Sequence, residues 1–246
     1  MKTIKELEKE NALLRKKLEV AKFWMSQEVE HQMQNICTVN TKENLKDIIE
    51  NKIENFFEDI VLINLPTSVI QNIITSEINY HHMSQGEAIG GSSVIIGYHK
   101  AIDILIEKNI TKTFRKFAKK HWYDELKKND PLEKTLHRVV NEGHAMSIGR
   151  LYHLISMITK GEHLENYGRW FAAYLDKYTA AWDILLSKSF WDKLGKLMDT
   201  EVLWKKRHIW MVKPEETKKV RDLLIGDFQD KDCIIYDLIE ITKMEF

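Results

Sequence analysis

Between Ser92 and Phe117 the apolar residues fall at Val94, Ile95, Tyr98, Ala101, Ile102, Leu105, Ile106, Ile110, Phe114 and Phe117. A recurrence at i, i+3 and i+4 puts side chains on one face only if the backbone is an α-helix. Starting at Ser92 or Ser93 and running for roughly thirty residues, this helix spans about 45 Å. Such a rod has to be the axis on which other segments pack. Only 3 prolines and 10 glycines interrupt 246 residues, so similar periodic segments elsewhere run on without breakers. No alternating strand pattern competes with them. The expected fold class is all-α, with 43% apolar residues available to fill the core.

The other segments are read in the same way. Asn40 and Glu43 have capping-box spacing ahead of Leu45, Ile48, Ile49, Ile53, Phe56, Phe57 and Ile60. Pro66 punctuates before Val69, Ile70, Ile73, Ile74 and Ile78, and HHMSQGEAIGGSS follows as a loop or domain boundary. Pro131 opens a helix through Val140, MSIGRLYHLISMI makes another, and aromatic-rich helices are expected over 163–187 and 189–206. Trp170, Phe171, Tyr174, Trp182, Phe190 and Trp191 at that spacing read as core. Pro214 at a first helical position, Glu215 and Glu216 in the first turn and Gly226 beyond the end delimit a helix over 214–225, and a last helix covers Cys233 to Ile241.

The N-terminus carries a different period. From Ile4 the steps 3-4-3-4-3-4 land on Leu7, Asn11, Leu14, Leu18, Ala21 and Met25. That is an a/d seam of about three heptads with one polar residue in the middle. A lone Asn at an a position of a parallel coiled coil sets register and favours two strands at some cost in stability. Ile4, Leu7, Asn11, Leu14 and Leu18 are therefore the expected homodimerisation residues. The predicted organisation is a coiled-coil helix over 1–36, a helical connector over 40–83 and a helical bundle over 92–246.

Charge excludes more than it suggests. Thirty-seven basic residues balance 37 acidic ones, so no global field recruits nucleic acid or an anionic membrane. No window is long and apolar enough for a membrane span, and the charged MKTIKELEKE does not resemble a signal peptide. Cys37 and Cys233 stand apart without metal-ligand spacing and read as buried thiols, so a cytoplasmic location is expected. His81, His82, Glu87, His99, His144, His153 and His163 are the residues that could serve as metal ligands. They are read as lacking the i, i+3 or i, i+4 carboxylate–histidine register that puts two ligands on one helical face, so no metal and no cofactor are expected. GEAIGGSS lacks the lysine and strand–helix setting of a phosphate loop, and no nucleophile elbow occurs.

The order of a helix containing Lys100-Ala101-Ile102-Asp103, then MSIGRLYHLI, LWKKRH and KPEETKKVRDLLIG resembles the C-terminal module of HEPN-like helical proteins of prokaryotic regulatory and anti-invader systems. The resemblance covers about residues 75–242. It implies a helical bundle whose active members cut RNA without metal through an Arg-Asn-x-x-x-His motif at a site composed from two chains. Arg207 matches the Arg, His208 stands at the Asn position, and Val212 stands where the catalytic His belongs. A valine moves no proton. Arg138 and His144 have a looser version of the spacing, in another place.

Beside the resemblance, Lys205, Lys206, Arg207, Trp210 and Lys213 alternate charge with aromatic surface in a way that suits RNA phosphates and unpaired bases. The expectation is thus a non-catalytic HEPN-like binding or scaffolding protein, a homodimer, with a protein partner in a defence or regulatory complex and RNA as a ligand. Two alternatives stand beside it. One is a metal-independent endoribonuclease using Arg207 with His208, or Arg138 with His144. The other is a small-molecule or metal sensor built in the bundle.

Overall fold

The computed structural model describes residues 3–32, 39–120, 130–177, 179–200 and 212–241, and every regular element among them is helical. The periodic segment opens as α5 (Gly91–Ile106) and continues through a π-turn (Glu107–Thr111) into α6 (Lys112–Ala118). Val94, Ile95, Tyr98, Ala101, Ile102, Leu105 and Ile106 are all buried. Around α5 pack α4 (Thr67–Ser84), α8 (Ile148–Thr159), α12 (Pro214–Leu224) and α13 (Ile234–Glu240). The wider π-turn buries Asn109, Ile110 and Thr111 in succession. There Asn109 Nδ2 donates to the Leu238 carbonyl at 2.8 Å and so ties the axis to α13.

Among the described residues α4 and α5 share the most extensive helix contact, and a glycine permits their close approach. A Cβ at Gly97 would lie 2.1 Å from Ser76 Oγ and 3.0 Å from the Asn72 carbonyl. The turn between the two helices uses Gly86 at φ +81, a left-handed backbone that glycine adopts without a steric penalty.

Two expected helices each divide in two, and one residue faces the other way. The helix expected to run through Ile60 is α2 (Val39–Phe56), followed by the short α3 (Asp59–Asn64). Phe56 and Phe57 are both buried and pack edge to face at 4.9 Å. Neighbours on a helix point about 100° apart, so both rings reach the core because the chain leaves the helix there and bends at Glu58. Ile48, assigned to the core face, is 47% exposed while Ile49 is buried. The segment 163–187 is two helices, α9 (Asn166–Lys177) and α10 (Thr179–Leu185).

The stretch HHMSQGEAIGGSS is a loop only over 85–90, because α4 runs to Ser84 and α5 opens at Gly91, and the Asn40–Glu43 pair falls inside α2, which opens at Val39. Pro131 opens α7 (Pro131–His137), capped by Asp130 Oδ1 accepting from Leu132 N at 2.8 Å, and a second π-turn (Arg138–Glu142) follows. Buried Glu133 on α7 accepts from the Tyr167 and Gly168 backbone N–H groups at 3.0 and 2.8 Å, satisfying donors at the start of α9. Phe190 is buried on α11 (Lys188–Asp199), while Trp170, Trp182 and Trp191 are half-buried against the same core. One hydrophobic core runs from Ile49 to Ile241. Among the described residues no helix is long and apolar enough to cross a membrane.

Candidate self-association surface

The seam residues lie on α1 (Ile4–Gln32), and α1 packs on α3 and α4. It does so with its other face. Ala12, Leu13, Lys16 and Val20 are half-buried, and Leu13 packs against the core. Polar contacts hold this face down: Lys17 Nζ to Glu54 Oε2 at 2.8 Å, Lys9 Nζ to Asp59 Oδ2 at 3.2 Å, and Thr67 Oγ1 donating to Glu19 Oε2 at 3.2 Å. At 100° per residue, the row 13-16-20 lies about half a turn from the row 4-7-11-14-18.

The second row is therefore directed away from the bundle. Ile4 is 77% exposed, Leu7 48%, Leu14 58% and Leu18 54%, with Asn11 exposed among them. A surface helix ordinarily turns its apolar stripe inward. Here four large aliphatic side chains form a straight outward row, with charged residues on either side. The spacing of this row identified it in the sequence. Its exposure is a tertiary fact.

The basic run has a different outcome. Lys205, Lys206, Arg207, His208 and Trp210 lie outside the described residues. Lys213 is exposed at the N-cap of α12. Val212, where the family motif would need its histidine, is only 4% exposed and belongs to the core.

The backbones of Arg138 and His144 meet across the second π-turn, which Arg138 opens. Gly143 at φ +78 turns the chain there, and His144 N donates to the Arg138 carbonyl at 3.2 Å. Both side chains are exposed, and His144 Nε2 lies 3.4 Å from Glu142 Oε2. Arg115 anchors this corner from α6, donating to the carbonyls of Val139 and His144 at 2.8 and 3.1 Å.

Two of these histidines do stand in i, i+4 register with a carboxylate: His81 with Glu77 on α4, and His99 with Asp103 on α5, where Nδ1 lies 3.2 Å from Oδ2. Glu87 also reaches back from its loop to His82, at 2.6 Å. Even so, among the described residues no three His, Cys, Asp or Glu side chains converge as a metal site.

A buried polar network gave no sequence signal because its members are far apart in the chain. Arg221 on α12 donates through Nε and Nη2 to Glu77 Oε1 and Oε2 at 2.7 and 2.9 Å, and Tyr98 donates to the same carboxylate. The guanidinium also lies over the Tyr80 ring, 4.6 Å from its centroid. Burial pushes the Glu77 carboxyl above its ordinary range and Arg221 pulls it back. The network fastens α12 to α4 and α5.

Compared with known proteins, the chain matches no family model, no curated protein and no solved structure.

Proposed function

We propose that this chain is a non-catalytic, HEPN-like binding or scaffolding protein that self-associates through α1 and serves in a prokaryotic defence or stress system. The observation that carries the reading is the outward row Ile4, Leu7, Leu14 and Leu18 on a helix whose opposite face is already fastened to the bundle. Pairing two such rows removes apolar surface from water without disturbing the fold. Asn11 in the middle of each row fixes which residues meet. The reading is non-catalytic because Val212, a core side chain, stands at the position where the HEPN resemblance would call for a proton-transferring histidine. The biological setting rests on the family resemblance alone. RNA and a protein partner in a regulatory complex are the proposed ligands of the basic stretch that leads to Lys213. Removing residues 1–25 tests the assembly: the mass measured by light scattering should fall from dimer to monomer, and an unchanged mass would refute the role of α1.

The second reading is a metal-independent endoribonuclease. It draws support from Arg138 and His144, which share an exposed corner with Glu142 beside the imidazole. Incubating the protein with labelled RNA in excess chelator separates the two. The scaffold reading expects intact RNA; cleavage that disappears in His144→Ala would establish the nuclease.

A further inference from the structure

On a chain whose formal net charge is zero, positive charge gathers along one helix. The segment 108–120, KNITKTFRKFAKK, holds six basic residues and no acidic one. Two of the six are engaged. Lys108 Nζ donates to the Asn64 carbonyl at 2.6 Å, and Arg115 is held by the carbonyls of Val139 and His144. The other four, Lys112, Lys116, Lys119 and Lys120, are exposed. At 100° per residue, Lys112, Lys116 and Lys119 share an arc of about 60° opposite the buried Phe114, and Lys120 follows at the helix end. None of the four ammonium groups has an ion-pair or hydrogen-bond partner among the described residues. Lys16 on α1 extends the same field. Burial, and then the like charges of Lys16 and Lys112, hold the Lys108 ammonium below its ordinary value, with no carboxylate acting against them.

Four lysines in a row with no carboxylate among them repel one another, and an anion of repeating charge relieves all four at once. From Lys112 to Lys120 the row is about 12 Å long. A nucleic-acid duplex carries one charge per about 3.4 Å on each strand, so this length meets three or four phosphates. A single strand is held instead by stacking its bases on aromatic rings, and among the described residues of this face no ring is exposed; Phe117 is 8% exposed and belongs to the core. Binding in a membrane interface needs an apolar helix face to enter the lipid, and the apolar face of α6 is committed to the bundle. We propose that the outer face of α6 binds double-stranded nucleic acid through its phosphates, without reading the base sequence. This surface uses none of the residues of the α1 seam or of the basic stretch that leads to Lys213.

Fluorescence anisotropy of a labelled DNA duplex titrated with the full chain tests the assignment. Four phosphate contacts give a slope of log affinity against log salt of about −3.6, so binding should weaken about 150-fold between about 50 and 200 mM salt. Lys112→Gln with Lys116→Gln should halve that slope to about −1.8, with the helical circular dichroism unchanged. A duplex of unrelated sequence should bind equally, and a single strand of the same length more weakly. The chain carrying Lys205→Gln, Lys206→Gln and Lys213→Gln should keep the wild-type slope, and the chain carrying Leu7→Glu and Leu14→Glu should still bind, so failure of the earlier readings and failure of this one are read separately. Absence of duplex binding at the lower salt, a slope unchanged by the Lys112 and Lys116 substitutions, or a slope lost in the Lys205, Lys206 and Lys213 variant would each overturn the proposal. Tighter binding of the single strand, or of phosphatidylserine vesicles, would overturn it as well.

Discussion

Replacing Leu7 and Leu14 together by glutamate puts the self-association surface to its hardest test. Full burial of a leucine side chain contributes about 2 kcal/mol. Leu7, Leu14 and Leu18 are each about half exposed, so pairing recovers about 1 kcal/mol from each. Ile4, at 77% exposure, recovers about 1.5 kcal/mol. Two chains together gain about 9 kcal/mol, against an association cost of about 4–15 kcal/mol. A dimer built on so few residues is marginal, and small losses dissolve it. Leu7→Glu with Leu14→Glu removes about 2 kcal/mol per chain, or about 4 kcal/mol per dimer before like-charge repulsion. The dissociation constant should therefore rise by about a thousandfold or more. Sedimentation equilibrium over a hundredfold range of concentration measures this directly, with circular dichroism to show that helicity is kept. A wild-type chain that stays monomeric throughout, or a double variant that dimerises like wild type, would refute the argument.

Asn11→Leu should raise the melting temperature of the assembled protein, read by circular dichroism, and broaden its oligomeric distribution, read by light scattering, because the buried polar pair no longer penalises other registers. Arg221→Ala strands the Glu77 carboxylate, whose side chain is 9% exposed, and should cost about 3–5 kcal/mol in urea unfolding near neutral pH. Burial already holds the Glu77 carboxyl above its unfolded value, so its stabilising contribution is complete below that value and is lost as pH rises through the folded one. Without Arg221 the carboxyl rises further, and the deficit should shrink on acidification to about pH 5. Gly97→Ala should cost about 1–3 kcal/mol, since its Cβ would meet Ser76 Oγ and the Asn72 carbonyl; an unchanged urea midpoint would refute the close approach of α4 to α5. Cys233 is fully buried, with its thiol pushed up to about 12 by burial. Iodoacetamide should therefore label it only after denaturation, as mass spectrometry would show.

Local chemistry made the helices legible in the sequence. The period of Val94 to Phe117 required α5 and α6, and Pro131, Pro214 and Gly226 marked ends that the structure keeps within a residue or two. These signals are local because a helix closes its hydrogen bonds within one turn, so neighbours in sequence decide it. The seam was legible for the same reason: a 3-4 repeat is a property of one segment.

What periodicity could not supply was direction. An apolar row reads the same whether it faces its own core or another chain. Only the seating of Leu13, Lys16 and Val20 against α3 and α4 turned Ile4, Leu7, Leu14 and Leu18 outward. Likewise Phe56 and Phe57 look like consecutive helix residues, yet both rings are buried where α2 ends and the chain bends at Glu58. Glu77 and Arg221 lie 144 residues apart and meet only because α12 packs against the α4–α5 pair. Contacts of this kind depend on which faces meet, and that choice is made by the packing of the whole bundle.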